Sequence, residues 1–177
     1  ASVDAVLPEQ ASVDDTPPDD SLPEDETSGP EYDSGEQTPR QGSSGGYGSS
    51  ASWWTEDYKL AKKYLFGDED AGIPRDFSEA RALLLSEAEI GNPLAMYDLG
   101  RMSADGLSCE ADAEEAYRWY AKALAGFRAA QEKRPWKYTE YRIGKMCAAG
   151  LGTEQDYLQA ADWLTLSADE GYKYAEY

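Results

Sequence analysis

The chain has 177 residues, a formal net charge of −19, two cysteines and no histidine. Without histidine there is neither an imidazole general base nor the commonest metal ligand, so hydrolytic or redox chemistry built on imidazole is excluded. Cys109 and Cys147 make neither a disulfide framework nor a structural zinc site, and the acid surplus disfavours a phosphate backbone as a direct partner.

Core-forming residues are spread unevenly. All five Trp, all three Phe and eleven of the thirteen Tyr follow position 50. Residues 1–52 therefore read as a disordered acidic linker. Like charges alternate with Pro in Asp14-Asp15-Thr16-Pro17-Pro18-Asp19-Asp20, and the Gly- and Ser-rich run over 42–50 offers almost nothing to bury. Order is expected from Trp53, whose indole would cover the open end of a helical stack.

Helical periodicity begins at Thr55, which has the side chain of an N-cap, and runs to Phe66, with Gly67 beyond it. A second helix spans Asp76 to Ile90, with Ala80, Leu83, Leu84 and Ala88 at helical spacing. Pro93 opens a third helix that reaches Ala104. The fourth runs from Asp112 to about Gln131 and is longer, ending before Pro135. The fifth spans Trp136 to Ala149 and the sixth Asp156 to Glu170.

These six segments are three copies of one two-helix unit. Tyr97-Asp98-Leu99-Gly100 aligns with Tyr141-Arg142-Ile143-Gly144, and the register holds through Gly106 and Gly150, Asp112 and Asp156, and Trp119 and Trp163. A more worn first copy contributes Tyr58, Leu60, Asp76, Ala80 and Leu83. Unit boundaries are expected at about 55–91, 92–135 and 136–171, so that 53–177 forms one repeat domain and 172–177 opens a fourth unit. The chain then reads as ending inside a longer array or as a fragment of a larger protein. Gly100, Gly144 and the equivalent Ala61 imply close approach of paired helices, since a mid-helix Gly otherwise costs roughly 1 kcal/mol.

No constellation for catalysis emerges. The acidic pairs Glu87/Glu89, Glu114/Glu115 and Asp169/Glu170 read as solvated helix faces rather than as two carboxylates held across a cleft. The Gly150-Leu151-Gly152-Thr153 turn comes after a helix and lacks the Lys of a phosphate loop. One pattern does recur: Lys62, Arg101 and Lys145 each come directly after the small residue at 61, 100 and 144. Lys59 and Arg142 lie three residues earlier in the first and third units, with Asp98 interrupting the second. Equivalent positions of stacked units line up, so these five bases are the candidate binding stripe for an acidic peptide segment.

Leu99-Gly100, Gly106, Asp112, Ala116, Trp119 and Ala123, with Ile143-Gly144, Gly150-Leu151-Gly152, Asp156, Ala160, Trp163 and Gly171, resemble the consensus of Sel1-like repeats, relatives of the tetratricopeptide repeats. The resemblance implies an all-α, right-handed solenoid of antiparallel helix pairs that acts as an adaptor or scaffold for a protein or peptide. No enzymatic activity, cofactor, metal, small-molecule substrate or membrane attachment comes with it. Lys62-Lys63-Tyr64-Leu65, Gly91 to Met102 and Pro135 to Met146 also resemble repeat regions downstream of acidic linkers in bacterial plasmid-mobilisation relaxases. That similarity implies a bacterial, cytoplasmic setting. It also implies an alternative role, as spacer or accessory region of a larger DNA-mobilisation protein whose catalytic domain lies elsewhere.

Overall fold

The computed structural model describes residues 53–172, 174 and 175, which fall in one compact unit; the expected acidic linker lies outside the described residues. The fold is a stack of helix pairs, with α1 (Glu56–Phe66) on α2 (Phe77–Glu89), α3 (Pro93–Asp105) on α4 (Ala113–Lys133), and α5 (Lys137–Ala149) on α6 (Tyr157–Asp169). Successive pairs join through α2 on α3 and α4 on α5. The expected all-α solenoid is therefore what the described residues form.

Local signals account for the helix ends. The carboxylates of Asp76, Asp112 and Asp156 each accept two backbone N–H groups from the first turn of α2, α4 and α6, at 2.8–3.1 Å. Thr55 Oγ1 accepts the Tyr58 N–H at 3.0 Å, and Asn92 Oδ1 accepts that of Leu94 at 3.1 Å. Gly106 and Gly150 close α3 and α5 in the left-handed conformation.

Leu84, Leu94, Leu99, Met102, Phe127, Ile143 and Met146 are almost completely buried and run as one core through the stack. The small residues are there because the paired helices touch. A β-carbon on Gly100 would lie 2.8 Å from the Tyr120 ring, and one on Gly144 2.8 Å from Leu164. Gly152, with φ +71°, sits directly on the backbone of α4 at Tyr120 and Ala121. The matching place between the first and second pairs is Ser108, also left-handed at φ 67°.

The longer α4 is knitted into the stack. Gln131, at its end, accepts the Trp136 N–H (3.0 Å) and donates to Glu140 Oε1 (2.7 Å), which replaces the missing side-chain cap of α5. Trp53 does not lie over an open end. Its ring meets Phe127 of α4 edge-on at 5.5 Å and Trp136 at 6.1 Å, and its carbonyl accepts from Asn92 Nδ2 at 2.7 Å. Trp54 packs on Trp136 and Tyr138. The segment before α1 thus reaches the third pair, a contact that skips one repeat and that nearest-neighbour stacking does not provide. Of the segment read as a fourth unit, Tyr172 is buried against Tyr138 and Tyr141.

Candidate functional site: the row of first helices

The five bases singled out by repeat position all lie on α1, α3 and α5, the first helices of the three pairs. The structure brings two of them together. Lys62 Nζ and the Arg101 guanidinium approach opposite oxygens of Asp98, at 3.4 Å and 3.5 Å, and both cations stand over the ring of Phe66, at 4.9 and 5.3 Å from its centre. The Tyr58 hydroxyl donates to Asp98 at 2.9 Å. Asp98 is completely buried, whereas Phe66 is 52% exposed.

A buried carboxylate needs cationic and hydrogen-bonding partners to offset its lost hydration, and here they come from two successive repeats. Lys62 and Arg101 thus meet on one carboxylate beside an exposed aromatic ring. Cations over such a ring add attraction of roughly 0.5–1 kcal/mol each when partly solvated.

The other three bases are placed differently. Lys145 is exposed on α5. Arg142 is buried, its guanidinium 4.7 Å from the Tyr97 ring centre and 5.4 Å from that of Tyr138, so it joins α3 to α5 as a packing element. Lys59 pairs with its own helix at Glu56 (2.9 Å), and this exposed hydrogen bond holds the Glu56 carboxyl below its usual range. Of the five bases, Lys62 and Arg101 thus group with Phe66, Lys145 is exposed on a later helix, and Arg142 and Lys59 are engaged within the stack and within α1. Asp98, Tyr58 and Phe66 were not among the predicted site residues. Their one signal in the sequence is that Asp98 breaks the basic pattern where a repeat partner holds Arg142.

Two buried carboxylates lie elsewhere. Glu87, expected on a solvated face, is 4% exposed and accepts from Asn92 Nδ2 at 2.8 Å. Glu140 is 4% exposed; burial, and secondarily the charge of Glu170, push its carboxyl up from the ordinary value, while the Gln131 hydrogen bond works against this. Cys147 is fully buried, as expected of a small core residue, with its thiol donating to Gln159 Oε1 at 3.1 Å. Among the described residues no three metal-ligating side chains group together, and no helix is long and apolar enough to cross a membrane.

The Sel1 repeat pattern matches residues 57–92, 93–126 and 138–172, and the chain belongs to that family. The match omits 127–137, where α4 overruns the repeat and turns into Trp136. Over 91 residues the chain is 32% identical to the chitin synthase regulator SKT5 of Saccharomyces cerevisiae, a stretch that is 51% of this chain and only 12% of that protein. Among solved structures it is similar to a Sel1 repeat protein from Oxalobacter formigenes, at 28% identity and TM-score 0.44, covering 68% of this chain and 82% of the other. It also resembles a protective antigen of uropathogenic Escherichia coli strains, at 22% identity and TM-score 0.36, covering 67% and 31%. The repeat-pattern match carries the Sel1 resemblance; the resemblance to mobilisation relaxases has no support among these matches.

Proposed function

We propose that this chain is a non-enzymatic interaction module that binds an acidic segment of another protein along the row of first helices. The observation that carries this reading is the Lys62–Phe66–Arg101 group. Two cations from successive repeats converge on an exposed aromatic ring, in a protein whose charge is otherwise strongly negative. A carboxylate arriving there would meet two cations, and an apolar neighbour of that carboxylate can rest on Phe66. Lys145 extends the row for a longer segment. Electrostatic contacts of this kind set specificity and encounter rate more than affinity, so binding is expected to weaken with salt. That the yeast relative is named a regulator of another enzyme is in keeping with a binding role.

The test uses the full chain and a fluorescently labelled peptide of mixed Glu, Ala and Leu, followed by anisotropy at low and physiological salt. The Lys62→Gln, Asp98→Asn, Arg101→Gln, Lys145→Gln variant, in which buried Asp98 loses its charge together with its cationic partners, should lose most of the binding while keeping its helical circular dichroism. Equal binding by wild type and the folded variant would refute the assignment of the site.

A further inference from the structure

The solvent face of α6 differs from the same face of α2 and α4. Counting from the capping aspartates, Leu158 stands where the first two repeats have Ser78 and Glu114, and Leu166 where they have Ser86 and Lys122. Leu158 is 83% exposed and Leu166 50%, with Asp162 exposed between them. On a helix these two leucines are about 12 Å apart and lie on one broad side, which Ala161, Asp162, Thr165 and Asp169 complete. All four of those residues are exposed as well.

Stacking of a further repeat does not account for this face. Ser78, Ala82 and Ser86 on α2, and Glu114, Arg118 and Lys122 on α4, are not buried although a following helix packs on both α2 and α4. The matching positions of α6 are therefore solvent positions of the repeat, and leucine there contributes nothing to the stack. An 83% exposed leucine in a helix is tolerated singly, but two on one face, in place of polar residues in both other copies, mark a surface that contacts something.

Charge narrows what that something is. The face itself carries Asp162 and Asp169 and no Lys or Arg, with Arg128 of α4 held beside it on Gln159 at 2.6 Å, whereas the same face of α2 carries Arg81 and that of α4 carries Arg118 and Lys122. A second copy of the chain fits poorly. Antiparallel pairing of two α6 helices would set Leu158 against Leu166 but would bring Asp162 onto Asp162 at the centre, where like charges repel.

We propose that the solvent face of α6 is a docking surface for a basic amphipathic helix of a partner protein. Its apolar residues, two turns apart, would cover Leu158 and Leu166, and a Lys or Arg between them would meet Asp162. This surface lies on a different helix from the Lys62–Arg101–Lys145 row and selects the opposite charge, so the module would have two faces for two kinds of partner.

The experiment titrates the full chain with an amphipathic Leu/Lys helical peptide and, separately, with its Leu/Glu counterpart, by isothermal calorimetry at physiological salt. Two variants borrow residues that the repeats already carry at these positions: Leu158→Ser with Leu166→Ser, as in α2, which leaves the charge unchanged, and Leu158→Glu, Asp162→Arg with Leu166→Lys, as in α4. Wild type should bind the Leu/Lys peptide, the serine variant at least tenfold more weakly and the α4-like variant weaker still, while binding of the Leu/Glu peptide, which the Lys62–Arg101–Lys145 row would take, should be the same in wild type and the serine variant. No binding of the Leu/Lys peptide by wild type would overturn the proposal. So would serine-variant binding of that peptide within twofold of wild type, since general attraction to an acidic protein would then be the whole effect. Sedimentation of wild type as a dimer that the serine variant abolishes would assign the face to a second copy, and would overturn it equally.

Discussion

Gly152 and Ser108 occupy the same place in two successive repeats, and they should differ widely in how much stability an exchange of side chain costs. At Gly152 a methyl group would overlap the Ala121 nitrogen and the Tyr120 carbonyl carbon of α4 and would lie 2.6 Å from the Ala121 Cα, so a retreat of about 1 Å is needed to restore ordinary contact at 3.4 Å. The obstructing atoms are helix backbone and cannot rotate away. Overpacking of this kind costs about 1–3 kcal/mol, and a non-Gly residue at φ +71° costs about 1 kcal/mol more. Gly152→Ala should therefore lose about 3 kcal/mol. At Ser108 the left-handed strain is already present at φ 67°. Ser108→Gly relieves it while adding unfolded-chain entropy of similar size, so stability should change by less than about 1 kcal/mol in either direction. Urea titration of both variants, followed by circular dichroism and by tryptophan fluorescence, gives the comparison, with agreement of the two signals testing whether the stack unfolds as one unit. A loss below about 1 kcal/mol for Gly152→Ala would mean that the α5–α6 turn is not held against α4, and the reasoning would fail.

Asp98→Ala leaves Lys62 and Arg101 facing each other without their shared carboxylate and should destabilise the stack by about 2–3 kcal/mol, a figure reduced from that of a fully buried pair because both bases are partly solvated. Denaturation midpoints measure this, and a second substitution, Lys62→Met, should recover part of the loss. Glu140 carries a pH prediction. Because its folded-state value lies above the ordinary 4.5, the charged form is disfavoured by folding, so the penalty is present at neutral pH and is relieved as pH falls through the folded value toward 4.5. Glu140→Gln should accordingly be more stable than wild type at pH 7, with the two curves converging as the buffer approaches that value. A constant gap between them across the range would show that the carboxyl is not the titrating group.

The repeat register, the helix boundaries and the small residue at 61, 100 and 144 were legible because they depend on local chemistry and on spacing. A capping aspartate at 76, 112 and 156 satisfies N–H groups within its own first turn, and the mid-helix glycines at 100 and 144 mark close approach of the paired helices. Charge at a repeat position is equally local, so a row of bases on the first helices comes from counting alone. What counting does not contain is which charges meet. Lys62 and Arg101 are separated by a whole repeat, and their convergence on Asp98 and Phe66 depends on how far α1 and α3 stand apart. Arg142 has the same repeat position as Lys59, yet one is buried between two tyrosines and the other is solvated, because only the later position has Tyr97 on a preceding helix to receive it. The same holds for Trp53, whose partners Phe127 and Trp136 lie one and two repeats further on. Sequence determined the repeating unit, whose stabilising bonds close within a few residues. The tertiary structure decided the surface, because a side chain's neighbours across the stack are set by packing distances that no single unit encodes.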